Sequence, residues 1–250
     1  MRKAIAKGTL TEEGEWVAES LHLLQEAARG SLQITTVIAA ENMSCAVEKA
    51  LPRDHSTKVA LLPERVFESV AGTKTSQGVI ALVKPRVWPI DRLFTANSLV
   101  LVLDCVQDPG NSGTLVRAAE AFGATGVLFV KGSASPYHPK TLRASAGSLF
   151  RIPYIAAVEP AIARAALEHH RLAVYAGLPG DGVQPLDQAD FRIPCALVIG
   201  NEGRGVGREF RSGAIGITIP TTHVESLNAS IAGAIFLYEA HRQRAAEVSS

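Results

Sequence analysis

The chain has 250 residues, 47% of them apolar and 20% charged, with 25 Lys plus Arg against 24 Asp plus Glu and a formal net charge of +1. This is the composition of a folded globular chain of one large or two modest domains, long enough to bury a core without staples. It excludes a global basic field, so contact with a polyanion has to come from a local patch. Arg2, Lys3 and Lys7 read as a disordered basic tip. Val17, Leu21, Leu24 and Ala28 recur at helical spacing and predict a helix over 15–29. The runs at 34–40, 59–63 and 78–85 predict strands, with a short helix over 63–72 ending on Gly72 as C-cap. Residues 86–97, RVWPIDRLFTAN, lose the period at Pro89 and read as a linker.

Beyond the linker the rhythm strengthens. Apolar strands are predicted at 99–104, 126–130, 152–158, 172–177, 195–200 and 214–220. Helices are predicted at 112–123, 160–170 and 226–244, with a basic polar turn over 137–148 and a frayed end, AAEVSS. Continuous apolar strands alternating with helices predict an α/β fold with a largely parallel sheet flanked by helices on both faces. Ordinary chain rules would wind it without a knot.

Three cysteines, Cys45, Cys105 and Cys195, are far apart and odd in number. Cys105 and Cys195 fall in apolar runs, so buried reduced thiols and a cytoplasmic protein are expected. No Cys or His pair has ligand spacing, so no metal is expected. No apolar run reaches the roughly 18 residues of a membrane span, and the N-terminus lacks a signal-peptide core.

The chemistry-bearing residues lie past predicted core strands. Asn111 and Arg117 follow 99–104, Glu202 follows 195–200, and Ser226 and Asn228 follow 214–220. Polar groups at several strand exits of one parallel sheet converge on one crevice. Each also has a plainer reading: Asn111 as cap of helix 112–123, Ser226 as cap of the last helix with Asn228 in its first turn, Glu202 and Arg117 as solvated charges. GNEGRGVG (200–207) is glycine-rich but carries Glu202 and lacks the dinucleotide spacing, and no P-loop exists. It suits a neutral adenine or ribose edge rather than a pyrophosphate. No histidine has a Ser or Cys partner in a recognisable signature, which argues against acyl-enzyme hydrolysis. Asn, Arg, Glu and Ser together suit positioning a hydroxyl and stabilising its alkoxide.

DPGNSGTLVRAAEAFG (108–123), ALVIGNEGRGV (196–206) and IPTTHVESLNASIAGAIFLYEAHRQR (219–244) resemble the three ordered motifs of the SpoU/TrmH family, RNA 2′-O-ribose methyltransferases of the SPOUT superfamily. HPKTLRASAGSLFRIP (138–153) resembles a segment of the ribosomal-RNA members. EGEWVAESLHLLQEA and SQGVIALV resemble their small L30-like substrate-binding domain. The resemblance implies an RNA substrate-binding domain at 1–85, a linker at 86–97 and a methyltransferase domain at 98–250 with a C-terminal trefoil knot. It implies S-adenosylmethionine held around Gly200, Ile219 and Leu227. It assigns Asn111, Arg117, Glu202, Ser226 and Asn228 to catalysis, with Arg117 at the ribose hydroxyl and Asn111 orienting Arg117 or the ribose. It also implies a homodimer, with the stripe Leu227, Ile231, Ile235 and Tyr238 of the last helix, and Ala232, Gly233 and Ala234, allowing close approach. The expected substrate is large-subunit ribosomal RNA. The alternatives are transfer RNA and a non-catalytic RNA-binding or ribosome-assembly role. Lys131, His138, Lys140, Arg143 and Arg151, and then Arg204, Arg208 and Arg211, are the candidate RNA contacts.

Overall fold

The computed structural model describes residues 1–51, 56–71, 77–180, 183–224 and 226–248. The elements run α1 (Arg2–Lys7), β1 (Trp16–Glu19), α2 (Leu21–Arg29), β2 (Ile34–Ala40), α3 (Ser44–Ala50), β3 (Lys58–Leu62), α4 (Glu64–Val70), β4 (Val79–Val83) and β5 (Leu99–Leu103). They continue α5 (Pro109–Ala121), β6 (Gly126–Val130), α6 (Pro139–Ala144), β7 (Tyr154–Val158), α7 (Pro160–His169), β8 (Ala173–Gly177), β9 (Gln184–Pro185), β10 (Cys195–Ile199), α8 (Arg208–Arg211), β11 (Ile215–Thr218) and α9 (Ala229–Val248). The chain forms two compact units, one of residues 1–87 with 137–151, the other of 88–136 with 152–250.

The first unit carries a four-stranded sheet in the order β1-β4-β2-β3, antiparallel except for the parallel β2–β3 pair. Three expectations change here. Residues 2–7 form α1, closed by Gly8 at φ 64°, and Ala4 packs into a small core with Val17, Phe67 and Ile80. The predicted helix over 15–29 is a strand followed by a helix. Trp16–Glu19 is wholly buried and pairs with β4, so both faces are covered and no alternation marks the strand. Ser20 then starts α2 by accepting from the Leu23 N–H at 3.2 Å. The helix α3 carried no sequence signal that was read. The Gly72 cap lies outside the described residues.

Residues 137–151 form a helical segment rather than a polar turn, and their partners are in the first unit. The Trp16 ring meets Phe150 edge-on at 5.3 Å and Tyr137 at 6.0 Å. Arg143 pairs with Glu19, whose side chain is 0% exposed, and Arg151 pairs with Glu26. Burial alone would raise the Glu26 carboxyl, but the bonds from Arg151 and Arg29 hold it below its ordinary value. The expected domain limits, 1–85 and 98–250, placed this segment with the other unit.

The second unit is a seven-stranded sheet in the order β7-β6-β5-β10-β8-β11-β9, parallel at every pairing. β5, β6 and β10 are buried at every residue, as continuous apolar runs in a sheet covered on both faces must be. The linker contributes Leu93 to this core and holds a short 3-10 turn at Ile90–Leu93. α5 and α9 pack together closely: a Cβ on Gly233 would lie 2.3 Å from the Leu115 side chain. Gly233 therefore serves contact within the chain. Arg244 near the end of α9 donates to the carbonyls of Asn97, Ser98, Phe191 and Ile193 at 2.7–2.9 Å, tying α9 to the entries of β5 and β10.

The cysteines are free; Cys195 is buried, Cys45 is exposed, and Cys105 is partly buried past the end of β5 at φ 57° rather than in a strand. Burial pushes the Cys195 thiol up to about 11, with Arg244 offsetting only part of the shift. Burial, then the neighbouring Asp104, raises Cys105 as well. A raised thiol holds little thiolate at pH 8, so a thiol-specific reagent is expected to label Cys45 rapidly and Cys195 only after unfolding; labelling of Cys195 in the folded protein would contradict this burial. Arg143→Ala leaves the Glu19 carboxylate buried without its cation and is expected to destabilise the first unit by about 3 kcal/mol. Urea unfolding followed by tryptophan emission would show it as a lowered midpoint at unchanged slope.

Candidate active site

Strands β5 and β10 are neighbours in the sheet, with Leu103 opposite Ile199. β6 and β7 lie on one side of this pair and β8, β11 and β9 on the other, so successive crossovers leave the pair in opposite directions. The carboxyl ends of such a pair open a crevice where ligands bind in parallel α/β sheets.

The segment leaving β10 is a tight turn. Asn201 and Gly205 exchange backbone hydrogen bonds at 3.0 and 2.8 Å, and the Asn201 Oδ1 accepts from the N–H groups of Gly203 and Arg204. Gly200 makes the turn possible. A Cβ there would fall 2.2 Å from the Gly205 carbonyl carbon and 2.3 Å from the Val206 nitrogen. The turn is pinned at both ends to the exit of β5. Asp104 Oδ2 accepts from the Gly207 N–H at 2.6 Å, and Asn201 Nδ2 donates to the Cys105 carbonyl at 3.0 Å. Sequence reading missed Asp104 and Asn201, although a carboxylate ending the run LVLVLD was a visible signal.

α5 starts at Pro109 with Asp108 as its cap, whose carboxylate accepts from the Asn111 N–H at 2.8 Å. Asn111 thus sits in the first turn and is not the cap. Its side chain is left to reach across the crevice. Nδ2 donates to Glu202 Oε1 at 2.8 Å, and Oδ1 accepts from Asn228 Nδ2 at 3.4 Å. Asn228 is the residue that caps α9. Its Oδ1 accepts from the Ser230 N–H at 2.9 Å and its carbonyl from the Ala232 N–H. Ser226, expected as that cap, is exposed and outside the helix, with no hydrogen bond among the described residues. The Glu202 carboxylate lies by the first turn of α5, where the helix dipole favours negative charge.

Asn111, Glu202 and Asn228 are therefore joined in one hydrogen-bonded row drawn from all three motifs. Arg117 is exposed two turns along α5 and meets no acidic group among the described residues. Ile219 and Leu227 are half-buried at the end of β11 and just ahead of α9. Among the described residues no three His, Cys, Asp or Glu side chains group as a metal site. No helix among the described residues is long and apolar enough to cross a membrane.

A parallel sheet with an amide–carboxylate row at its switch point, in a chain with a second small α/β unit, marks an α/β protein with a ligand site at its strand exits. The comparisons specify which. Residues 98–238 match the SpoU rRNA Methylase family, and residues 7–81 match the MRM3-like substrate binding domain. The chain belongs to the SpoU rRNA methylase family. It is 31% identical over 95% of its length, and 92% of the relative's, to the 23S rRNA (guanosine(2553)-2′-O)-methyltransferase RlmP of Bacillus subtilis. Its fold matches the SpoU methyltransferase AviRb of Streptomyces viridochromogenes, solved with AdoMet, with a TM-score of 0.84, 26% identity, and 93% and 91% of the two chains covered. A structure concerned with 2′-OH methylation of C/U34 on tRNA matches 61% of this chain and 99% of its own, with a TM-score of 0.55 and 28% identity.

Gly200→Ala is expected to open the turn, at about 1–3 kcal/mol of local strain, so that the Asn201 and Gly205 amides exchange at least ~10-fold faster. Hydrogen exchange resolved by peptide over 200–207 checks this; an unchanged rate would mean the turn tolerates a side chain.

Proposed function

We propose that this chain performs the S-adenosylmethionine-dependent 2′-O-methylation of its family on large-subunit ribosomal RNA, with Arg117 at the target hydroxyl and the Asn111–Glu202–Asn228 row as its support. The observation that carries the reading is that row, which gathers polar side chains of three motifs at the switch point, while Arg117 forms no ion pair among the described residues.

Gly200, Ile219 and Leu227 would hold the cofactor, the last two through apolar contact with the adenine. Bound S-adenosylmethionine supplies a methyl group on a sulfonium, so no covalent bond to the protein is needed. Arg117 positions the ribose hydroxyl and stabilises the alkoxide that forms, together with the adjacent phosphate. A guanidinium keeps its protons in proteins, so electrostatic stabilisation fits it better than proton abstraction. Asn111, held between Glu202 and Asn228, fixes the rim against which the ribose is placed. Ser226, exposed beside that rim, contacts substrate rather than the helix end.

Ribosomal RNA is favoured over transfer RNA because the first unit matches a substrate-binding domain, whereas the tRNA-related structure matches only 61% of the chain. Two further parts complete the proposal. The loops at 196–206 and 219–228, with the start of α9, would form the knot that the motifs imply. Two copies associate through α9, where Ile231 and Tyr238 are 51% and 53% exposed while Phe236, Leu237 and Ala240 face the chain's own core. An exposed Cys45 thiol accords with a reducing cytoplasm.

The test is transfer of labelled methyl to large-subunit rRNA, with Arg117→Ala in parallel. The wild type is expected to place one label that resists alkaline cleavage. The variant is expected to lose about 100-fold or more in kcat, the scale of removing a transition-state donor, while cofactor affinity stays. Labelling of tRNA instead would move the substrate class, and full activity in Arg117→Ala would remove its assigned role.

A further inference from the structure

The second unit holds an open cavity of about 640 Å³ lined by Arg204, Val206, Gly207, Arg208, Arg211 and Ser212. Three of the six are arginines and none is acidic. Arg204 and Arg208 are exposed, and neither forms an ion pair among the described residues. Arg211 is held differently. Its Nε donates to the Val206 carbonyl at 2.6 Å and one Nη to the Arg204 carbonyl at 3.3 Å, so its guanidinium lies against Gly205 and the rest of its N–H groups stay available. Of the nearby carboxylates, Asp104 accepts from the Gly207 N–H, Glu202 accepts from Asn111, and Glu209 follows Arg208 on α8 without an ion pair to it among the described residues.

We propose that this cavity binds a phosphodiester of the substrate RNA, gripped by Arg204 and Arg208 with Arg211 as a fixed third wall. The inference rests on the RNA-methylating reading above and adds a contact outside the catalytic row. Planar guanidinium forks match phosphate oxygens pairwise, and two exposed arginines that form no ion pair among the described residues keep those forks available to an anion. The volume falls in the range of small-molecule pockets, larger than one phosphate group, so a nucleotide fits with its phosphate. The cleft is open, as a site on a continuous polymer must be. Its position sets what it does. Arg204 and Glu202 belong to one turn, closed by the Asn201–Gly205 pair and pinned to Asp104, so a phosphate held at Arg204 and Arg208 fixes the strand at a set distance from the Asn111–Glu202 row. Gly200, Ile219 and Leu227 are not among the lining residues, although Val206, which lines the cavity, packs against Gly200 on its other side.

Arg208 is the residue to change, because it donates to no described group and its loss leaves the turn intact. Binding of an in-vitro-transcribed large-subunit rRNA is measured by anisotropy across a salt series. S-Adenosylmethionine affinity is measured by calorimetry, and steady-state methyl transfer is followed separately. Arg208→Ala is expected to weaken RNA binding about tenfold and to reduce the slope of log K against log salt by about 0.7–1, the signature of one lost phosphate contact. Arg208→Lys keeps the charge and is expected to retain the slope but only part of the affinity. The KM for RNA should rise with kcat within about twofold, because phosphate contacts position and do not react. Unchanged RNA affinity and slope in Arg208→Ala would overturn the proposal. So would a fall in cofactor affinity without a fall in RNA affinity, or a wild type that fails to bind RNA. RNA binding that depends on Arg208 in a protein with no methyl transfer would sustain this site while sinking the catalytic reading.

Discussion

The candidate site depends on the side-by-side placement of β5 and β10. Their register sets Leu103 against Ile199, so both strands end at one level, and everything functional leaves from there. The Asp104 N–H continues the ladder to the Ile199 carbonyl at 2.8 Å before the chains diverge. From that point two side chains do what the sheet no longer can. The Asp104 carboxylate and the Asn201 amide each cross from one exit to the other, closing a turn that has no regular structure of its own. A charge-assisted bond from a buried carboxylate to a backbone N–H is among the stronger kinds. It fixes where Glu202 stands, and Glu202 in turn fixes Asn111.

This arrangement explains why the glycine-rich stretch lacks the marks of a phosphate loop. Gly200 is required because the Gly205–Val206 backbone occupies the space a side chain would take. The N–H groups of Gly203 and Arg204 are turned onto Asn201 rather than outward. A turn whose donors are satisfied internally presents its rim and not an anion nest. The anion chemistry is displaced a few residues on, to the arginines that follow.

Much of this was legible in the sequence and some was not, for definable reasons. Continuous apolar strands announced a parallel sheet with covered faces, and polar residues at their exits announced the crevice. Buried strands without alternation, such as Trp16–Glu19, read equally as part of the following helix, because burial on both faces erases the period of two. The caps were displaced by a few residues, to Asp108 and Asn228. Several polar residues compete near each helix start, and only geometry decides which carbonyl or carboxylate meets the free N–H groups. The α9 stripe Leu227, Ile231, Ile235 and Tyr238 was expected to be the contact face, whereas Phe236, Leu237 and Ala240 are the residues buried in the chain's own core and Gly233 faces Leu115. Period alone cannot say which side of a helix meets its own chain. Arg244, four carbonyls deep at the sheet entry, left no mark in the sequence beyond a cation in a polar helix end.

A net charge of +1 is compatible with an RNA substrate because the basic residues divide by what surrounds them. Arg143 and Arg151 meet Glu19 and Glu26 inside the first unit, Lys131 meets Glu159, and Arg244 is saturated by carbonyls. These cations hold the fold and have little left to offer a phosphate. Arg117, Arg204 and Arg208 are exposed and form no ion pair among the described residues, and all three stand on segments leaving the β5–β10 exits. Counting charges along the sequence merges the two groups, and grouping by proximity in sequence does not show that Arg143 and Arg151 are paired with acids. Binding a polyanion requires local cations that the protein has not already satisfied. By that criterion the electrostatic footprint narrows to cations such as Arg117, Arg204 and Arg208, which no acid pairs with directly among the described residues.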